Sequence, residues 1–194
     1  MAVICIKEHL RQKLSSHRKK RIVGRDLIEA AVLIPVFRKR EEYNILFTKR
    51  SDKVACHKNQ ISFPGGVRGE DDRCLLDTAL REACEEIGLE IRDVEFLGEL
   101  DDAITTTGFV ISPFVAFIPC PYHFVGNRDE VEEIIQIPIP ALMEKSKFRQ
   151  EYQLINGKIR PAYFYEYDRQ VIWGATAWII KQLLEFLEPS SEAL

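Results

Sequence analysis

The sequence predicts an α/β (α+β) fold in which a central mixed β-sheet is covered by helices on both faces. Three observations predict it. Apolar runs such as residues 30–37 are separated by short polar turns, as buried strands are. Asn156-Gly157 stands between two alternating segments, a strong hairpin signal that forces an antiparallel pair. Helical periodicity recurs at three separate places, near residues 6–14, 76–87 and 172–187, so sheet and helices must pack as layers.

Composition narrows the classes. A chain of 194 residues, 46% hydrophobic and 29% charged with net charge −3, can bury a proper core and has no general attraction to nucleic acid. No apolar run approaches the roughly 20 residues that cross a bilayer, and the first residues turn charged too soon for a signal peptide. The expectation is a cytoplasmic protein without a membrane partner. Its five cysteines form no CxxC pair and are odd in number, which suits reduced thiols rather than a disulfide framework or a zinc site.

Taken in order, residues 4–20 place Ile6, Leu10 and Leu14 on one face of a short helix and end in the basic cluster Arg18-Lys19-Lys20-Arg21. A solvated helix end accounts for that cluster, with phosphate or RNA contact as the other reading. Residues 30–37 and 44–50 read as two strands joined by a polar turn, with Pro35 hinting at an edge or bulge. Further strands are expected over 93–100 and 110–118, divided by the loop holding Thr105, Thr106, Thr107 and Gly108, before Pro119 and Pro121 break the pattern. An acidic segment, Asp129 to Glu133, runs into an apolar one. A short helix follows near 140–148, then the hairpin, then a last helix over 172–187. The aromatics Phe109, Phe114, Tyr163, Phe164 and Trp173 read as core.

The densest chemistry lies between His57 and Leu89. Leu76, Ala79, Leu80, Ala83 and Ile87 form an apolar helical stripe, Gly88 stops the helix, and Asp71 or Asp72 can cap its start. Glu82, Glu85 and Glu86 fall at spacings of three, four and one, so their carboxylates converge. Like charges so grouped repel unless a cation sits among them, which points to a divalent metal held by oxygen. Arg81, four residues before Glu85, offsets part of the repulsion. Ahead of the helix, Pro64-Gly65-Gly66 lets backbone come close to a ligand.

Together the loop and helix resemble the Nudix box, usually G-x5-E-x7-R-E-U-x-E-E-x-G-U with U aliphatic. Arg81-Glu82-Ala83-Cys84-Glu85-Glu86-Ile87-Gly88-Leu89 matches its second half at every charged and glycine position. The first half departs: Asp72 replaces the glutamate, and one residue is inserted between it and Arg81. That departure resembles the coenzyme A diphosphatase branch of the family. Leu46-Phe47-Thr48-Lys49-Arg50-Ser51, then His57, then Phe63-Pro64-Gly65-Gly66 resemble the motifs upstream of the box in that branch. Asn59 replaces an expected glycine, and Gly69 stands where aspartate is common. Thr107-Gly108, Asp129-Glu130-Val131 and residues 173–177 also resemble it.

The resemblance implies an α/β/α sandwich, with residues 1–25 as a helical extension packed on a single domain over 26–188 and residues 189–194 as a polar tail. It implies Mg²⁺ or Mn²⁺ held by Glu82 and Glu86, with Glu85 and the Gly66 carbonyl as further ligands. Arg81 would orient the glutamates, and Asp72 would cap the helix and pair with Arg81. The general base would be a box glutamate, Glu85 or Glu86, or Glu130 on the later loop, with Asp129, Glu132 and Glu133 as rivals. Arg50, His57 and Thr107 would meet a nucleoside diphosphate-linked substrate, coenzyme A or an acyl derivative. Other readings are a nucleotide sugar, ADP-ribose or a damaged nucleotide as substrate, and a non-catalytic nucleotide- or RNA-binding module. A homodimer is implied by the resemblance alone.

Overall fold

A computed structural model describes residues 5–53, 59–155 and 157–188. The first layer is the helix α1, Ile6–Ser16, which buries Leu10 and Leu14 as its periodicity requires. It stops before the basic cluster, which therefore lies on an extended strap rather than at a helix end. Lys19 of that strap is turned inward, 3.0 Å from Glu99 and 2.9 Å from Asp102, so this part of the cluster is structural.

Strands β1 (Ile28–Lys39) and β2 (Glu42–Arg50) pair antiparallel through a turn in which Arg40 has φ 57°. After β3 (Ile61–Ser62) and β4 (Gly65–Val67) comes α2, Leu75–Ile87. Then β5 (Glu95–Glu99), β6 (Ala103–Ile104), β7 (Phe109–Phe117) and β8 (Val131–Pro138) complete the main sheet. Its order is β3-β2-β1-β7-β5, with β4 added to β1, β6 to β7 and β8 to β2. The β1–β7 pair is parallel and the others antiparallel, so the sheet is mixed as expected.

Pro35 does not mark an edge. β1 is central, and on one side it pairs with β4 through Val32 and with β2 from Val36 onward. Pro35 falls in the gap between these two partners on that side, where a missing N–H costs no ladder bond.

The short helix α3 (Ile139–Leu142) leads to a second sheet, β11-β10-β9, formed by β9 (Phe148–Ile155), β10 (Lys158–Tyr167) and β11 (Gln170–Trp173). The antiparallel β9–β10 pair closes around the Asn156-Gly157 turn, although Asn156 itself lies outside the described residues. The last helix, α4, spans Gly174–Leu187. Four strands, β4, β6, β8 and β11, go beyond what the pattern predicts, because segments that are very short or mix apolar and charged residues carry little period of their own, and residues 172–173, expected in the last helix, belong to β11.

Two cores result. One face of the sheet packs Ile34, Val36, Ile45 and Phe47 against Leu10 and Leu14 of α1, the second sheet and Ile179, Ile180 and Leu183 of α4. The other face packs Ala31, Leu33, Phe37 and Leu46 against Ala79, Ala83 and Ile87 of α2. Helices thus cover both faces, the α/β/α layering the sequence predicts. Of the aromatics expected in the core, Phe114 and Tyr163 are buried, Phe109 and Phe164 are only partly covered, and Trp173 is 50% exposed. The polar tail over 189–194 lies outside the described residues.

Candidate active site

The site forms where α2 packs on one face of the main sheet, over β1 and β4. Helix α2 begins one turn later than its acidic cap candidates: its N-cap is Cys74, with no side-chain cap bond. Asp72 is used differently. Its Oδ2 accepts the Gly69 N–H at 2.8 Å, and both its oxygens face the Arg81 guanidinium at 3.2 and 3.1 Å. The Arg81 pair and the Gly69 amide hold the Asp72 carboxyl far below the usual carboxylate range. Gly88 ends the helix in a left-handed cap at φ 66°.

Arg81 also donates to Glu82 Oε1 at 2.8 Å and to Glu85 Oε2 at 3.1 Å. One guanidinium therefore restrains three carboxylates. Glu82 lies against Gly66: a methyl group on Gly66 would fall inside contact distance of the Glu82 carboxylate. Burial, opposed by Arg81, pushes the Glu82 carboxyl up.

Glu86, which helical spacing sets away from the apolar stripe of α2, is nevertheless only 3% exposed. Position 86 follows the exposed Glu85 by 100° of helical turn, which swings it from solvent toward the sheet. Burial raises its carboxyl to about 8, with Glu82 and Glu130 adding to the rise and Arg50 opposing it. Arg50 Nη1 stands 3.8 Å from Glu86 Oε1, while Glu86 Oε2 and Arg50 Nε are both buried without a partner.

The acidic loop before β8 is stitched to the same corner. Asn127 N–H donates to the Glu86 carbonyl at 3.0 Å, Val125 N–H to the Ile87 carbonyl at 3.0 Å, and Ser51 N–H to the Glu130 carbonyl at 2.8 Å. This brings Glu130 close enough to raise both Glu82 and Glu86. Its sequence rivals point elsewhere: Asp129 pairs with Lys53, Glu132 with Lys49, and Glu133 accepts from Gln170. Lys49 is thus engaged in an ion pair.

The remaining expectations divide. Gly66 sits opposite Ala31 in the β1–β4 ladder. The bonds Leu33 N–H to Pro64 O and Arg68 N–H to Glu29 O bracket it, so alternation makes Ala31 and Gly66 a hydrogen-bonded pair. One lone pair of the Gly66 carbonyl is used there and the second is left for a ligand. Thr107 is exposed and its hydroxyl bonds to Thr105 at 3.0 Å, so its loop is organised internally at the start of β7. His57 lies outside the described residues. Asn59, where a glycine was expected, has φ 59°, a region asparagine tolerates best after glycine.

The donor set fits a hard divalent cation. It offers carboxylates and a carbonyl, with one buried carboxylate oxygen lacking any partner. Among the described residues no three Asp, Glu, His or Cys side chains stand together as a ligand group. Arg81 and Arg50 supply the positive charge that the glutamates require in this arrangement. Gly66→Ala, which pushes the Glu82 carboxylate away from the loop, is expected to lower kcat/KM at least about tenfold. A steady-state assay of purified variant and wild type checks it.

A glycine loop followed by a helix that carries several carboxylates, set against a mixed sheet, gives an oxygen-rich class of site suited to a divalent cation. The comparisons give the family: residues 27–162 match the NUDIX domain model, and the chain belongs to the Nudix family. It is 36% identical over 156 residues to the Uncharacterized Nudix hydrolase NudL of Yersinia pestis (strain Pestoides F), covering 80% of this chain and 78% of the relative. The same values hold for NudL of Yersinia pseudotuberculosis serotype O:1b (strain IP 31758). Among solved structures, the NUDIX domain of Shewanella oneidensis NrtR complexed with ADP ribose is similar at TM-score 0.57 and 14% identity, covering 91% of this chain and 97% of that one. A MutT/nudix family protein from Enterococcus faecalis is similar at TM-score 0.57 and 16% identity, covering 95% and 70%. These two likenesses show the fold.

Proposed function

We propose that this Nudix hydrolase cleaves the diphosphate linkage of coenzyme A or acyl-coenzyme A, giving 3′,5′-ADP and (acyl-)4′-phosphopantetheine, with Mg²⁺ or Mn²⁺ as its cation. The observation that carries the reading is the place of Arg50. The upstream segment over 46–51 resembles the coenzyme A branch, and β2 delivers its arginine beside Glu86 rather than to a remote surface. A branch-specific segment built into the reacting corner is what a substrate-recognising element requires.

Glu82 and Glu86 would hold the cation, with Glu85 and the Gly66 carbonyl beside them. When bound, the cation supplies charge neutralisation at the bridging oxygens and a more acidic water. Glu130 is the general base in this reading, because it alone of the four loop acids bears on Glu82 and Glu86. Arg81 and Asp72 position the glutamates. Arg50 and His57 meet the phosphates, and Thr107 lies on the loop at the start of β7.

The test is a turnover screen of coenzyme A, acyl-coenzyme A, ADP-ribose, NADH, nucleotide sugars and nucleoside triphosphates with Mg²⁺ and with Mn²⁺. The expected result is release of 3′,5′-ADP from coenzyme A species at the highest kcat/KM of the panel. Turnover of another compound with none of coenzyme A would overturn the substrate assignment.

A further inference from the structure

Two arginines reach the glutamates of this corner, and they are held very differently. Arg81 sits within 2.8–3.2 Å of four carboxylate oxygens, two of Asp72 and one each of Glu82 and Glu85, and its Nη2 also faces the Val67 carbonyl at 3.3 Å. Among the described residues Arg50 has no such cradle. It stands 3.8 Å from Glu86 Oε1, beyond hydrogen-bond distance, and each partner keeps a buried polar atom unsatisfied.

A buried ion pair offsets its desolvation only with good geometry and with its other polar atoms satisfied. The Arg50–Glu86 pair meets neither condition, so stability does not explain it. Nor is Arg50 placed there by Glu86. Its backbone is pinned from the other side, the Arg50 N–H donating to the Gln60 carbonyl at 3.0 Å and its carbonyl accepting the Asn59 N–H at 3.1 Å. At the same point the β2–β8 register shifts, between Lys49 and Arg50, which re-aims the arginine toward α2. The backbone thus holds an under-bonded guanidinium beside an under-bonded carboxylate.

We propose that Arg50 is an exchangeable counter-ion: it neutralises Glu86 while the glutamates hold no cation, and its guanidinium turns to the substrate diphosphate once they do. This rests on the proposed cation site, not on the identity of the substrate. Two positive charges cannot both sit on Glu86 without repulsion, so cation and arginine compete for it. A planar guanidinium freed from that carboxylate matches phosphate oxygens two at a time. Cation binding and diphosphate binding then reinforce each other, because each removes a competitor or supplies a partner for the other.

The test measures Mn²⁺ binding without nucleotide, from the loss of the free-ion paramagnetic resonance signal at pH 8.5. Wild type is compared with Arg50→Gln, Arg50→Met and Arg50→Lys, each shown to be folded by circular dichroism. Both neutral variants are expected to bind Mn²⁺ at least about threefold more tightly than wild type, and the lysine variant like wild type. A structural role for Arg50 gives the opposite sign, so equal or weaker Mn²⁺ binding in a folded neutral variant overturns the proposal. At saturating Mn²⁺, the neutral variants are expected to raise KM at least about tenfold for whichever diphosphate is hydrolysed, with a smaller loss in kcat. An unchanged KM also overturns it. Loss of the coenzyme A assignment in the turnover screen leaves both measurements standing, whereas a wild type that binds no Mn²⁺ removes the cation site and the exchange together.

Discussion

Glu86→Gln is expected to lower kcat/KM by at least about 10³-fold while making the cation-free protein more stable at pH 8. The two effects have one origin. Glu86 is buried with an unpartnered oxygen beside Glu82 and Glu130, so its charge is costly unless a cation is present. Glutamine removes that charge and with it the ligand. The pH dependence follows from the direction of the shift. In the folded, cation-free chain Glu86 keeps its proton up to about 8, against 4.5 for an ordinary glutamate. Between these values the unfolded chain binds fewer protons than the folded one, so stability falls as pH rises. The contribution is fully present below the lower value and lost on passing the upper one.

Thermal melts of chelator-treated protein from pH 4.5 to 9 check this. Wild type should lose melting temperature across the window, by up to a few kcal/mol of stability, and Glu86→Gln should lose much less. Saturating Mn²⁺ should raise the wild-type curve most at the alkaline end, since a ligand that binds only the folded state stabilises by mass action. Parallel curves for wild type and variant would show that Glu86 is not the group whose proton is linked to folding.

Arg81→Ala is the second large effect, and it is expected to fall on stability as well as on turnover. Asp72 is buried and bidentate on Arg81, and Glu82 is mostly buried beside it. Removing the guanidinium leaves two buried carboxylates uncompensated, at a cost of about 2–4 kcal/mol, discounted because Arg81 is itself partly exposed. Asp72→Asn in the same chain should recover part of that loss, since the partner left behind is then neutral. A denaturant-unfolding cycle of wild type, both single variants and the double variant measures the coupling, expected above about 1 kcal/mol. Additive losses would mean that the two side chains contribute separately.

Periodic features were legible from the sequence. The apolar stripe of α2, the Gly88 stop, the 30–37 and 44–50 strands and the hairpin at Asn156-Gly157 follow from local rules that need no partner. Legibility failed where a residue's meaning depends on what crosses over it. Asp72 pairs with Arg81 as the resemblance implies, but it does not also cap the helix, which starts at Leu75 while the aspartate turns back to Arg81 and Gly69. Pro35 hints at an edge or a bulge, but it lies in a central strand at the point where β1 changes partners. Trp173 was assigned to the core, but β11 presents it outward. The basic cluster is expected at a helix end, yet Lys19 is turned inward onto Glu99 at the end of β5 and Asp102 just after it.

The same division runs through the site. The sequence by itself determined that Glu82, Glu85 and Glu86 lie within one turn of a helix that follows a glycine loop, because spacings of three, four and one allow nothing else, although among the described residues the three do not close into one ligand group. Only the tertiary structure decided how those groups differ. It buries Glu86 and exposes Glu85, brings Glu130 but not Asp129, Glu132 or Glu133 to bear on Glu82 and Glu86, and sets Arg50 against Glu86 from a strand more than thirty residues away in the chain. Charge and spacing are local properties of a helix, whereas burial and opposing charge belong to the layers that close over it.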